Sequence, residues 1–197
     1  MKKVFYLLAV LFVITACNTE VTREADALFN EGEYTAAIEA YNEYLATKPK
    51  DIKSLYNRGR AFEELGQVER AKKDFTRILD IDGENLNANL SMGKYWYQKE
   101  RFPQAINFFD KVIMIDGRVS DAYMLKARSY HQMGEFEEAM ESYNLAINFD
   151  NKNDEAYLYR GALKVALNQM NGACKDLNRA KGLGSKEASV AWNKHCR

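Results

Sequence analysis

Apolar side chains recur along this chain three or four residues apart, as in Ile38, Tyr41 and Leu45 or Ile106, Phe109 and Ile113. That spacing is the buried stripe of an amphipathic helix. The stripes themselves repeat. Ala37, Ala71, Ala105, Ala139 and Ala173 stand 34 residues apart without a slip. Four residues after each comes a bulky apolar side chain, Tyr41, Phe75, Phe109, Tyr143 and Leu177, and twelve before each a small residue, Ala25, Gly59, Gly93, Ala127 and Gly161. A fixed period of this length predicts stacked helical hairpins, each burying its apolar face on the next. Five repeats follow, 18–51, 52–85, 86–119, 120–153 and 154–185, closed by a capping helix over 186–197. Glycine inside a helix costs about 1 kcal/mol against alanine, so Gly59, Gly93 and Gly161 imply a close approach of paired helices. Gly32, Gly66 and Gly134 fall in the turn within a hairpin, and Pro49, Gly83, Gly117 and Asn151 in the turn to the next one. Pro103 stands in the first turn of a second helix, where its missing N–H matters least.

The pattern does not extend to the start of the chain. Lys2 and Lys3 precede an uncharged run, Val4 to Ile14, too short for the roughly 20 residues of a spanning helix; residues 1–16 read as a secretory signal. Ile14-Thr15-Ala16 before Cys17 resembles the bacterial lipobox, which implies cleavage to leave Cys17 as a lipid-modified first residue, with 17–21 as a short tether. The other reading is an ordinary signal peptide cut near Ala16, with Cys17 incidental. Asn18 stands where an aspartate signals inner-membrane retention in enterobacteria, so the resemblance implies an outer-membrane lipoprotein, periplasmic or surface-exposed. The first helix begins within a few residues of Cys17, which places the stack close to the bilayer.

With each repeat counted from residues 18, 52, 86, 120 and 154, the pattern resembles the tetratricopeptide repeat. That family has a small residue at position 8, a large apolar one at 11, Ala at 20, a large aromatic at 24 and a small or apolar one at 27. Here position 11 holds Leu28, Phe62, Trp96, Tyr130 and, as a departure, Lys164; position 27 holds Tyr44, Ile78, Val112, Ala146 and Ala180. The first repeat departs too, with Val21 and Glu24 where bulkier residues are usual. The resemblance implies an all-α fold, a right-handed superhelical solenoid of about five helix-turn-helix repeats, whose first helices line a concave groove that holds protein partners. Position 9 reads Asp26, Arg60, Lys94, Arg128 and Ala162, a central basic ladder. Around it stand Tyr56, Leu90 and Met124 at position 5, with Glu63, Tyr97 and His131 at position 12. Tyr56, Arg60, Leu90, Lys94, Tyr97, Met124, Arg128 and His131 are therefore the candidate partner-groove residues. Cations interleaved with rings suit an acidic peptide or a free C-terminal carboxylate. The other reading is that the cations pair with Glu63, Glu64 or Asp121 and keep the groove soluble. The Lys/Asn set of the chaperone-tail carboxylate clamp is not reproduced.

Composition narrows the choice further. Of 28 basic and 28 acidic residues, the signal takes two lysines, so the mature chain is slightly acidic and lacks the basic footprint of a nucleic-acid binder. Two histidines, His131 and His195, with no metal-ligand spacing, phosphate loop or nucleophile elbow, lead to the expectation of no enzyme activity, no cofactor, no metal and no small-molecule substrate. An active site around His131, Lys94 and Glu63, or a passive spacer, are the alternatives. Cys174 and Cys196 remain in a chain routed to an oxidising compartment. If the last two helices run antiparallel about a turn at Gly182–Ser185, the two cysteines meet and can form a disulfide; otherwise they are buried thiols. The expected function is a membrane-anchored adaptor of the bacterial envelope.

Overall fold

The computed structural model describes residues 22–197; the signal segment 1–16, Cys17 and the tether 17–21 lie outside them. Every regular element among the described residues is a helix. They are α1 (22–30), α2 (Tyr34–Thr47), α3 (Ile52–Glu64), α4 (Val68–Ile81), α5 (Leu86–Gln98), α6 (Phe102–Ile115), α7 (Ser120–Met133), α8 (Phe136–Phe149), α9 (Asp154–Ala166), α10 (Met170–Gly182) and α11 (Lys186–His195). They form two compact units divided between residues 88 and 89. In the first, α2 packs on α3 and α3 on α4; in the second, α6 to α11 each pack on the next.

The 34-residue period has a steric origin. The Phe75 ring lies so close to the Gly59 backbone that a β-carbon there would come within 2.6 Å of it, and Phe109 crowds Gly93 more tightly still. Leu177 meets Gly161 in the same way, at 3.0 Å. Tyr41, Phe75, Phe109, Tyr143 and Leu177 are all buried to within 1 %, each stabilising its hairpin by about 2 kcal/mol of apolar transfer.

Turn chemistry repeats with the same period. At the end of each first helix the chain reverses through a left-handed residue: Gly32, Gly66 and Gly134 at φ of 70° to 83°, Glu100 and Asn168 at 58°. The N–H of the following residue closes the turn on a helix carbonyl, as in Gln67 to Phe62 at 2.8 Å and Glu135 to Tyr130 at 3.0 Å, the Schellman arrangement. Between hairpins, Asp82, Asp116 and Asp150 accept the backbone N–H two residues on, at 2.9–3.1 Å. Asp51, Asn85 and Asn153 then cap the next helix, as does Ser185 for α11.

Buried ion pairs clamp neighbouring hairpins. Arg58 grips Asp74 with two bonds of 2.8 and 2.6 Å and reaches Asn42 of the preceding repeat at 2.8 Å. Arg160 repeats the arrangement on Asp176 and Asn144. A fork to a carboxylate is the strongest form of charged hydrogen bond, and Asp74 and Asp176 are only 4 and 5 % exposed. Lys164, the departure at position 11, finds its reason here: its ammonium binds Asp176 at 2.7 Å, while its stem packs over Gly172. Cys174 on α10 is bonded to Cys196 beyond α11, with Cα atoms 5.6 Å apart, so α11 lies fastened on α10 and also touches α9.

Gly93→Ala should destabilise the chain by about 1–2 kcal/mol through overpacking against Phe109, whereas Gly117→Ala, whose β-carbon meets nothing closer than 3.7 Å, should stay within about 0.5 kcal/mol; urea unfolding compares them. Opening the disulfide, which spans 22 residues, should cost about 3 kcal/mol of stability by loop entropy. Urea midpoints with and without reductant measure that loss, and the double variant Cys174→Ala/Cys196→Ala should show no response to reductant.

Candidate functional site

The candidate residues sit on first helices, and each unit treats them differently. In the first unit, Tyr56 and Arg60 lie on α3. Tyr56 tilts against Phe75 with ring centroids 5.8 Å apart. Arg60 is taken up locally, with Nε 2.9 Å from Glu63 and a second nitrogen 3.5 Å from Glu64, both on the same helix face. The cation here is neutralised by its own helix.

Beside it lies a network that the sequence did not reveal. Asp26 on α1 accepts from the Tyr41 hydroxyl at 2.6 Å, Lys53 at 2.6 Å and Asn57 at 2.8 Å. Burial alone would raise the Asp26 carboxyl, but these three donors outweigh it and hold it below its ordinary value of 3.8. The Tyr41 hydroxyl is raised in turn, first by burial and then by the Asp26 carboxylate.

In the second unit, Leu90, Lys94 and Tyr97 lie on α5, and Met124, Arg128 and His131 on α7. Met124 is not part of an open surface: it is 4 % exposed and fills the core cluster with Leu125 and Tyr143, where an unbranched thioether adapts readily to irregular space. Leu90 packs partly buried against the same cluster. Lys94 is exposed. The His131 ring stands edge-on to Phe136, centroids 5.8 Å apart, and burial lowers its pKa. Among the described residues no group of three His, Cys, Asp or Glu is placed to hold a metal ion.

Arg128 is the centre of what remains. Its guanidinium carbon lies 4.1 Å from the centroid of Tyr159 on α9 and 5.0 Å from that of Tyr97 on α5. Ring faces attract a guanidinium but leave its N–H edge open. Among the described residues Arg128 has no ion pair. Beneath lies Tyr143 on α8, fully buried, its hydroxyl without a hydrogen-bond partner among the described residues and raised by burial, with Arg128 acting to lower it. Position periodicity brought Tyr97 and Arg128 to one face but missed Tyr159, which sits at position 6; the alternation of rings with cations around Arg128 was the signal for it.

Models of the TPR repeat match residues 25–66 and 127–168, and that of the tetratricopeptide repeat matches 52–85, together just over half of the chain. The chain belongs to the tetratricopeptide-repeat family. Among solved tetratricopeptide-like folds it resembles MamA 41-end from Desulfovibrio magneticus RS-1, with TM-score 0.76 at 18 % identity over 84 % of this chain and 94 % of that one. TTC0263, a thermophilic TPR protein of Thermus thermophilus, matches with TM-score 0.72 at 17 % identity over 90 % and 98 %. In sequence it is 33 % identical over 87 residues to mouse (Mus musculus) DnaJ homolog subfamily C member 7, covering 42 % of this chain but only 18 % of that relative. The tetratricopeptide fold is a scaffold for protein–protein interaction.

The lowered Asp26 carboxyl stabilises the fold fully above its unfolded value near 4, and that contribution disappears as pH falls through the lower folded value. Asp26→Asn should therefore flatten the fall of stability that sets in as pH drops below the unfolded value near 4 and cost about 1–2 kcal/mol at pH 7. Urea titrations at stepped pH check both.

Proposed function

We propose that this chain is a lipid-anchored adaptor of the bacterial cell envelope, fixed through Cys17, that holds segments of partner proteins on its first-helix face and prefers acidic segments or a free carboxylate. One observation carries the binding part: Arg128 presents an unpaired guanidinium edge between Tyr97 and Tyr159. A cation stacked on rings and without an ion pair among the described residues suits charge-assisted recognition of an extended peptide. The anchor rests on the lipobox-like Ile14-Thr15-Ala16-Cys17 behind a basic, apolar leader. Two or more lipid chains give a durable hold. A cystine joining α10 to the chain end suits an oxidising compartment, and Asn18 favours the outer membrane.

Affinity purification from detergent-solubilised envelopes tests this. The doubly reversed variant Lys94→Glu/Arg128→Glu should recover partners at least tenfold less well, while Arg60→Glu, whose native cation is already engaged by Glu63 and Glu64, should lose less than twofold. Cys17→Ser should move the chain out of the membrane fraction. Undiminished recovery by the doubly reversed variant rules out the binding surface, and membrane retention of Cys17→Ser rules out the anchor.

A further inference from the structure

Position 24 carries a hydroxyl in only two repeats, Tyr41 and Tyr143; the second and third have Phe75 and Phe109 and the fifth Leu177. A buried ring fills this place without an oxygen, so each hydroxyl calls for an acceptor. In the first repeat the acceptor is internal, the Asp26 carboxylate, which also takes Asn57 and Lys53 from the next repeat. Around Tyr143 the same register positions hold Arg128 of the fourth repeat for Asp26, and Tyr159 and Glu155 of the fifth for Asn57 and Lys53. The charges are inverted. None of the described residues takes the part of the carboxylate, and the Tyr143 hydroxyl, fully buried, is left without a partner.

We infer that Arg128 and the Tyr143 hydroxyl form a subsite for a single carboxylate of the partner segment, set where Asp26 sits in the first repeat. This rests on the reading of the first-helix face as the partner surface and names the group that anchors there. A carboxylate would accept from the Tyr143 O–H with one oxygen and from the guanidinium edge with the other, as Asp26 accepts from both a tyrosine and cationic or amide donors. Depth is no obstacle. Asp26 reaches the buried Tyr41 hydroxyl while its own side chain is 27 % exposed. Arg128 is held by ring stacking alone, which is weak enough to let the guanidinium swing aside and close again over the ligand. Glu155, exposed at the rim, opposes the incoming charge and so selects for a carboxylate delivered by a well-placed segment over free anions.

Three pools of synthetic nine-residue random peptides test the subsite on the full chain in detergent: amidated with one central Glu, free C-terminus without Asp or Glu, and amidated without acid. Retention is read by mass spectrometry. At least one carboxylate-bearing pool should be retained fivefold or more above the acid-free pool, and the pool retained tells side-chain from terminal carboxylate. Arg128→Gln should abolish that preference. Tyr143→Phe, which keeps the ring and gives up no internal hydrogen bond, should reduce it threefold or more with an unshifted melting curve, and Glu155→Gln should increase it. Equal retention of all three pools removes the subsite while leaving the partner surface standing. A preference unchanged in Tyr143→Phe means that water satisfies the hydroxyl, and the inference falls. Retention of no pool removes the subsite and the partner surface together.

Discussion

The fit of one large side chain against one small residue of the paired helix is the constraint on which the repeats depend. Phe75 against Gly59 and Phe109 against Gly93 leave no room for a β-carbon, so the two helices of a hairpin approach until ring touches main chain. In these hairpins that contact sets the interhelical distance, and the distance the length of the turn; opposite Tyr41 and Tyr143 the small residue is Ala25 or Ala127. A residue more or less in the loop would carry the ring off its glycine. Close packing of this kind tolerates little variation in volume, which is why the period holds through the chain without a single insertion.

Size and periodicity were therefore the part of the fold open to sequence reasoning. Helix positions, hairpin turns and the pairing of small with large residues all follow from steric bulk, and bulk is legible one letter at a time. Polar pairing was much less so. Arg58 and Arg160 belong to two matching clamps separated by three repeats, yet their partners Asp74 and Asp176 look like any other acid on a helix. Lys164 looked like a defect in the core and is instead a third hand on Asp176. Charged side chains have long, jointed reach, so the letter gives the charge but not the partner.

The candidate surface divides along the same line. Periodicity put Arg60, Lys94 and Arg128 in one register, and on sequence alone they were equivalent. Their surroundings separate them: Arg60 is spent on Glu63 and Glu64, Lys94 stands exposed, and Arg128 lies over two tyrosines. Met124, expected on the surface, turned inward because its side chain reaches the core cluster that holds Leu125 and Tyr143. Register fixes which residues share a face; only the neighbours decide which of them are available.

The last helix has a consequence of a different kind. A row of like hairpins has no natural end, because each leaves exposed a flank shaped to receive one more. After the fifth hairpin a shorter helix, α11, lies against that flank, and the Cys174–Cys196 bond keeps it from lifting away. Head-to-tail association of such flanks would give open filaments rather than closed particles. Held by the cystine, α11 stays seated over the flank of α9 and α10 that such an association would use.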